Sequence, residues 1–327
     1  MLEISLACQI TDRTRALVDK TVSIGACKVN FIHGPAEELF QRAFRHEEFD
    51  VAELSLGTHL LTTARGASKY IGVPAFVSRS FRHSAIYIRD DVGIDSPEAL
   101  RGKRIGVPDF QQTAGIWVRG FLEEQHNVMT RDITWLTGGL EQAGREVRMP
   151  LQLPPEIKIG PIGKDATLSA MLDKGELDAI IAPKPPSCFG RNLHVHRLFP
   201  DFRQAEQTYF KTTGVFPPMH MIGIRRSLLE KHPWLAINVF KAFTAARDIA
   251  MAELSITDTL RVTHPWITSD IASVKALMGN DYWRYGIEAS RHELDALQRF
   301  AKKDGLMGDA IPLEQLFAKS TFDAFNF

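Results

Sequence analysis

The chain has few cysteines, no excess of either charge and no long apolar run. Its 327 residues include three cysteines, and Lys plus Arg equal Asp plus Glu at 39 each. The scattered cysteines form no metal-spaced pair and suit a reducing compartment. A net charge of zero argues against a nucleic-acid or anionic-membrane partner. No apolar run approaches the roughly 18 residues that span a bilayer, so no membrane segment is expected.

The N-terminus also lacks the pattern of an export signal. The first residues, Met-Leu-Glu-Ile-Ser-Leu-Ala-Cys, lead directly into an apolar strand. A basic segment, a 7–15-residue apolar segment and a small-residue cleavage site are all missing. We therefore expect a cytoplasmic protein.

Apolar periodicity indicates strands alternating with helices. We predict strands at 3–8, 49–54, 73–77, 84–89 and 103–107, and helices at 36–45, 113–124 and 233–252. The segment 9–15 is expected to be a polar loop. This alternation predicts an α/β protein with mostly parallel sheets flanked by helices.

Two segments resemble type 2 periplasmic binding proteins. Asp95-Ser-Pro-Glu-Ala-Leu-Arg-Gly-Lys-Arg-Ile-Gly-Val-Pro108, followed by Thr113, is similar to the entry into the second lobe of that fold. Lys174-Gly-Glu-Leu-Asp-Ala-Ile-Ile181 is similar to the strand that later lines the cleft. The resemblance implies one lobe from 1–84 and 220–327, and a second lobe from 85–219. The crossovers would lie near 83–85 and 216–220, with a ligand cleft between the lobes.

A finer resemblance, to the 4,5-dihydroxyphthalate decarboxylase family, covers nearly the whole chain. It implies cofactor-independent conversion of 4,5-dihydroxyphthalate to 3,4-dihydroxybenzoate and carbon dioxide. The loop 182–187 departs from the family pattern, which leaves a related aromatic acid open. The motifs that carry the resemblance are Asp12-Arg-Thr-Arg15, Glu48-Phe-Asp-Val-Ala-Glu-Leu-Ser55, Ser80-Phe-Arg-His-Ser84, Gly106-Val-Pro-Asp-Phe-Gln-Gln-Thr-Ala-Gly115, Thr137-Gly-Gly-Leu-Glu141, Gly214-Val-Phe-Pro217 and Met219-His220.

Two histidines are the predicted acid–base pair. Such a decarboxylation must protonate the ring carbon that bears the departing carboxylate, while a para hydroxyl supplies electrons. Histidine suits both proton transfers because it titrates near physiological pH. His83 and His220 lie at the two predicted crossovers; which one is the acid is left open. Either could instead be a hinge residue that bonds the backbone, or only the partner of a charged group.

Arginines are the predicted clamp for the carboxylate that stays on the ring. A guanidinium offers two parallel donors to a carboxylate and stays charged when partly buried. Arg13, Arg15 and Arg82 are the candidates, with Arg82 favoured by its neighbour His83. For Arg13, a solvated charged loop is an equal alternative.

Helix starts provide further predicted substrate contacts. Gln111, Gln112 and Thr113 precede a predicted helix, where side chains and free amides can meet an anion, and Thr113 is also expected as the N-cap. Ser55 occupies the matching place in the first lobe.

Three charged residues complete the candidate site. Glu53 could take the phenolic proton or repel the departing carboxylate, or it could form a structural ion pair with an arginine. Arg145, in a glycine-containing loop, and Lys184 are predicted substrate contacts.

Two alternatives stay open from the sequence. A non-catalytic module that captures an organic acid would use the same fold, but it would need neither paired histidines nor a missing leader. A metal-assisted decarboxylase would require His83, His220 and Glu53 to converge on a divalent ion. We favour a metal-free reaction on a small aromatic acid, and a homo-oligomer is compatible with it.

Overall fold

The computed structural model describes residues 1–144 and 150–322 of the chain. The strands are β1 (Leu2–Ala7), β2 (Cys27–Ile32), β3 (Val51–Ser55), β4 (Tyr70–Arg79), β5 (Ile86–Arg89), β6 (Arg104–Val107), β7 (Thr134–Thr137), β8 (Lys158–Pro161), β9 (Ala179–Ile181), β10 (Val195–Arg197) and β11 (Pro218–Arg225). The helices are α1 (Asp12–Val18), α2 (Ala36–His46), α3 (Leu56–Ala64), α4 (Thr113–His126), α5 (Leu168–Asp173), α6 (Phe202–Thr213), α7 (Arg226–Lys231), α8 (Leu235–Glu253), α9 (Ile267–Met278), α10 (Arg291–Lys303) and α11 (Leu313–Leu316).

The strands form two sheets, each with one strand that runs against the rest. The first sheet has the order β2-β1-β3-β11-β4, and its antiparallel strand is β11. The second has the order β10-β5-β9-β6-β7-β8, and its antiparallel strand is β5. The predicted α/β class with mostly parallel sheets is therefore confirmed.

The chain divides into two units, one around each sheet. The first consists of Met1–Arg79, Pro218–Glu293 and the part from Ile311 onward, and the second of Ser80–Pro217 and Leu294–Ala310. The sequence placed the crossovers near 83–85 and 216–220, and all of 220–327 in the first lobe. In the structure the chain changes units at 79/80 and 217/218, and 294–310 belongs to the second unit.

Packing on α4 explains why part of α10 belongs to the second unit. Phe300 meets Trp117 edge to face at a centroid distance of 5.5 Å. A Cβ on Gly120 would lie 2.1 Å from Phe300, so only glycine leaves room for this ring. Asp304 accepts a hydrogen bond from buried Arg119 at 2.8 Å. Burial of one such aromatic ring contributes about 1.5–3 kcal/mol.

Helical periodicity predicted α2 well but missed α1. In α2 the apolar residues Leu39, Phe40 and Ala43 are buried, as their spacing requires. The expectation of a polar loop at 9–15 is wrong beyond Thr11, because α1 begins at Asp12 with Thr11 as its N-cap. A helix of seven residues shows too few turns for its apolar face to stand out in the sequence.

The described helices give no sign of a bilayer segment. Among residues 1–144 and 150–322, none of the helices combines the length and apolar character that crossing a membrane requires.

Candidate functional site

A buried carboxylate lies in the central strand of the first sheet. All five residues of β3 are buried, and Glu53 is only 2% exposed. Such a charge is costly to bury without a partner. Strand β11 pairs with β3 in a register that sets His220 opposite Ser55 and Ile222 opposite Glu53. Glu53 and His220 are therefore diagonal neighbours on one face of the sheet.

Three groups hydrogen-bond the Glu53 carboxylate. Oε1 lies 2.7 Å from Nδ1 of His220. Oε2 accepts a hydrogen bond from the backbone N–H of Gln9 at 2.8 Å and from the thiol of Cys8 at 3.3 Å. The predicted arginine partner is wrong, because the charged partner of Glu53 is His220.

These contacts keep Glu53 ionised despite its burial. Burial alone would raise the pKa of Glu53, but the hydrogen bond and the charge of His220, helped by Gln9 and Cys8, hold this pKa below its usual value. An ionised carboxylate on Nδ1 fixes the orientation of the imidazole ring.

His220 presents its other ring nitrogen for chemistry. Its side chain is 20% exposed, compared with 2% for Glu53. The ring of Phe40 meets the imidazole edge to face at 4.8 Å and limits its rotation. With Nδ1 bound to Glu53, Nε2 is the atom that can exchange a proton with a ligand.

The two predicted arginines on α1 differ in their surroundings. Arg13 is half-buried: Nε donates to the carbonyl of Val77 at 3.3 Å, and the guanidinium lies 4.1 Å above the ring of Trp283. It also pairs with Asp12. Arg15 is exposed. Of the two, Arg13 has the fixed guanidinium that a carboxylate clamp needs.

Ser55 has a structural role at the start of α3. It is the N-cap of this helix, and its hydroxyl accepts hydrogen bonds from the backbone N–H and the hydroxyl of Thr58. Its contact with substrate stays a prediction.

His83, in the second unit, lies among aromatic rings. It is 2% exposed, its ring stacks on Phe121 at 4.2 Å, and Phe199 and Tyr209 lie within 5.3 Å. Burial, aided by the charge of His126, lowers the pKa of His83 to about 4. Its Nδ1 is buried without a hydrogen-bond partner among the described residues. His83 also lines a cavity of about 440 Å³ in this unit.

Glu206 places beside His83 a carboxylate that the sequence did not indicate. The side chain of Glu206, on α6, accepts hydrogen bonds from the backbone N–H groups of Ser84 and His83. Burial raises the pKa of Glu206 to about 7, opposed by these hydrogen bonds and by the charge of Arg82. Burial also lowers the pKa of Arg82 to about 10. The surface helix that carries Glu206 offers no chemical motif from which this contact could have been predicted.

The predicted contacts at the start of α4 are separated from His83 within the second unit. The helix begins at Thr113, and its N-cap is Gln112, so the predicted N-cap role of Thr113 is wrong. Gln111 and Thr113 are buried. Thr113 precedes Phe121, on which His83 stacks, by eight residues, or about 12 Å along the helix axis.

Two predicted substrate contacts remain, Lys184 and Arg145. Lys184 is exposed in the loop that follows β9. Arg145 lies outside the described residues.

One exposed group of potential metal ligands occurs in the part of the chain that the structure describes. It consists of Asp90, Asp91 and His194. Arg89 forms an ion pair with Asp91, and ring nitrogens of His194 and His196 lie within 3.1 Å of the Asp90 carboxylate. The metal-assisted alternative named Glu53, His83 and His220, none of which belongs to this group.

Sequence relatives match the chain over most or all of its length. It is 40% identical to the 4,5-dihydroxyphthalate decarboxylase of Comamonas testosteroni over 326 residues, which is 99% of both chains. It is 49% identical to that of Pseudomonas putida over 211 residues, 64% of this chain and 82% of the relative. Models of known protein families do not match the chain.

Solved structures share the fold at low sequence identity. The periplasmic aliphatic sulphonate binding protein of Escherichia coli aligns with a TM-score of 0.52 and 13% identity, covering 98% of this chain and 99% of its own. A protein of Bordetella bronchiseptica aligns with a TM-score of 0.51 and 15% identity, covering 100% and 98%. The predicted periplasmic-binding-protein-like fold is confirmed.

Proposed function

Because the chain belongs to the 4,5-dihydroxyphthalate decarboxylase family, we propose that it converts 4,5-dihydroxyphthalate to 3,4-dihydroxybenzoate and carbon dioxide. The observation that best supports the chemistry is the 2.7 Å contact between Nδ1 of His220 and the buried carboxylate of Glu53. A carboxylate on one ring nitrogen orients the other nitrogen for general acid–base catalysis, and this geometry supports a proton-transfer role for His220.

In the proposed reaction the proton moves through Nε2 of His220. The imidazolium donates this proton to the ring carbon that bears the departing carboxylate, while the para hydroxyl supplies electron density and the ring loses its aromaticity. The bond to the carboxylate then breaks, its electron pair restores the aromatic ring, and carbon dioxide leaves. The neutral imidazole takes a proton from solvent. One proton is consumed per turnover, and Glu53 stabilises the imidazolium before the transfer and again once His220 is reprotonated.

Arg13 is the proposed clamp of the first unit. Its guanidinium is fixed by Trp283 and Val77, so little side-chain entropy is lost when an anion binds. It would hold the carboxylate that stays on the ring. The other predicted substrate contacts stay predictions; they are Arg15, Arg82, Ser55, Gln111, Gln112, Thr113, Arg145 and Lys184.

A cytoplasmic location is part of this proposal. It is supported by Cys8, Cys27 and Cys188, which are free thiols, as a reducing compartment maintains them.

Carbon dioxide release from 4,5-dihydroxyphthalate by purified protein, with and without a chelator, tests the proposal. Phthalate is the matched control, because it keeps both carboxylates and lacks the para hydroxyl. Turnover of the dihydroxy compound alone, unaffected by chelation, is the expected result. Loss on chelation with recovery on adding a metal would support the metal-assisted reaction. Ligand-induced thermal stabilisation without turnover would support a binding module.

A further inference from the structure

Cys8 has a polar contact that its sequence context conceals. The sequence marks it as a small core residue at the end of the first strand, and its side chain is indeed fully buried. Its sulfur nevertheless lies 3.3 Å from Oε2 of Glu53. A buried thiol beside a carboxylate does more than pack in the core, because it can donate a hydrogen bond.

The surroundings of Cys8 keep the thiol protonated. Burial raises the pKa of Cys8 well above its usual value, and the negative charge of Glu53 raises it further. The hydrogen bond therefore runs from the thiol to the carboxylate. Cys8 and Gln9 follow β1, and the carboxyl ends of parallel strands β1 and β3 meet at one edge of the sheet. This topology could have linked Cys8 to Glu53 from the sequence.

We propose that Cys8 is a positioning residue that sets how tightly Glu53 holds the proton on His220. This inference rests on the proposed role of His220 in proton transfer. Donors on Oε2 stabilise the ionised carboxylate and reduce the negative charge that Oε1 presents to the imidazolium. Of the two donors on Oε2, Gln9 contributes a backbone N–H, which substitution leaves in place. The thiol is the donor that substitution of a side chain can remove.

Three titratable groups act on the contacts that link Cys8, Glu53 and His220 or belong to them. His220 faces Glu53 from β11, and Arg13, on α1, acts on Cys8 with its positive charge. The buried phenol of Tyr285 lies within electrostatic range of Cys8 and Arg13. None of these is altered by substitution of Cys8, so a change in the titration of His220 reports on the lost thiol.

The test compares Cys8→Ala, which removes the donor, with Cys8→Ser, which keeps one. Cys188→Ala is the matched control, because Cys188 is equally buried and belongs to the apolar core of the second unit. NMR titration of the His220 ring needs no substrate, and the pH profile of kcat is measured in parallel. In Cys8→Ala both midpoints are expected to rise by about half a pH unit, about a threefold tighter hold on the proton. Both midpoints rise whether His220 donates or accepts the proton in the reaction.

Cys8→Ser should return both midpoints to the wild-type value or below it, because a hydroxyl is a stronger donor than a thiol. Unchanged NMR midpoints in folded Cys8→Ala would overturn the proposal, as would equal shifts in Cys8→Ala and Cys188→Ala. If the wild-type protein releases no carbon dioxide but the His220 titration moves as described, the proposed function fails and the contact between Cys8 and Glu53 still sets the proton affinity.

Discussion

The two histidines that the sequence singled out occupy opposite kinds of environment. His220 contacts the Glu53 carboxylate through Nδ1, and its side chain as a whole stays 20% exposed. His83 is enclosed by Phe121, Phe199 and Tyr209. Both residues looked alike in the sequence, since each stands beside a predicted crossover.

The difference shows that burial and a charged partner decide what a histidine can do. Without a carboxylate, burial lowers the pKa of His83 to about 4, so this ring is neutral at physiological pH. His220 instead has the Glu53 carboxylate 2.7 Å from its Nδ1. The surroundings of His83 favour a packing role, although its predicted catalytic role stays open to test.

The largest effect should come from removal of the imidazole that has a charged partner. His220→Ala is expected to lower kcat by about 10²- to 10⁴-fold, because proton transfer through Nε2 is lost. The measurement is carbon dioxide release under saturating substrate, with circular dichroism to verify the fold. His232→Ala, at a second half-buried histidine of the first unit, is the control and should retain activity. Turnover within fivefold of wild type in His220→Ala would remove this residue from the mechanism.

Glu53→Gln should be nearly as damaging although it preserves size. The amide oxygen would accept from the N–H of Gln9, so the amide N–H₂ would face Nδ1 of His220. Nδ1 must then accept, which moves the ring proton to Nε2 and removes the charge that stabilises the imidazolium. We expect kcat to fall by about 10²-fold or more, as in other carboxylate–histidine pairs. Wild-type kcat in a folded Glu53→Gln protein would reduce the carboxylate to a structural role.

The fold was predictable to a useful extent because its helices and strands have regular apolar patterns. The predicted helix at 113–124 corresponds to α4, and the predicted strand at 103–107 corresponds to β6. Short elements with weak patterns, such as α1 and β2, were missed or assigned to loop. Their apolar faces depend on the neighbours that cover them, which the local sequence does not specify.

The site was predictable in its residue types and less so in its contacts. Glu53 and His220 were both named from the sequence, but their contact depends on the register of β11 against β3, which joins residues 167 positions apart. Glu206 was missed because its partners are backbone N–H groups, which no side-chain motif reveals. Long-range pairing and backbone hydrogen bonds are properties of the folded chain.

A small effect is expected when the histidine among aromatic rings is replaced by another ring. His83→Phe should keep kcat within about threefold and leave stability unchanged or raise it by about 1 kcal/mol, because the stack on Phe121 remains and an unpaired nitrogen disappears. His83→Ala is the packing control and should destabilise the fold by about 2–4 kcal/mol. A fall in kcat of at least about 100-fold in folded His83→Phe would establish the catalytic role that the sequence predicted.

The last effect concerns Glu206, the carboxylate beside His83, and appears as a pH dependence of stability. Because burial raises the pKa of Glu206 from 4.5 to about 7, the folded chain holds this proton more tightly than the unfolded chain. The resulting stabilisation is fully present below pH 4.5 and is lost as the pH rises through about 7.

Glu206→Gln keeps an acceptor for the N–H groups of His83 and Ser84 and has no proton to lose. Urea unfolding at pH 5 and pH 8 should show the variant gaining up to about 2 kcal/mol over wild type at pH 8, a value reduced for partial exposure of the side chain. Glu156→Gln, at an exposed glutamate of the same unit, should give no such gain; equal pH dependence in Glu206→Gln and wild type would show that Glu206 ionises without cost beside the His83 backbone.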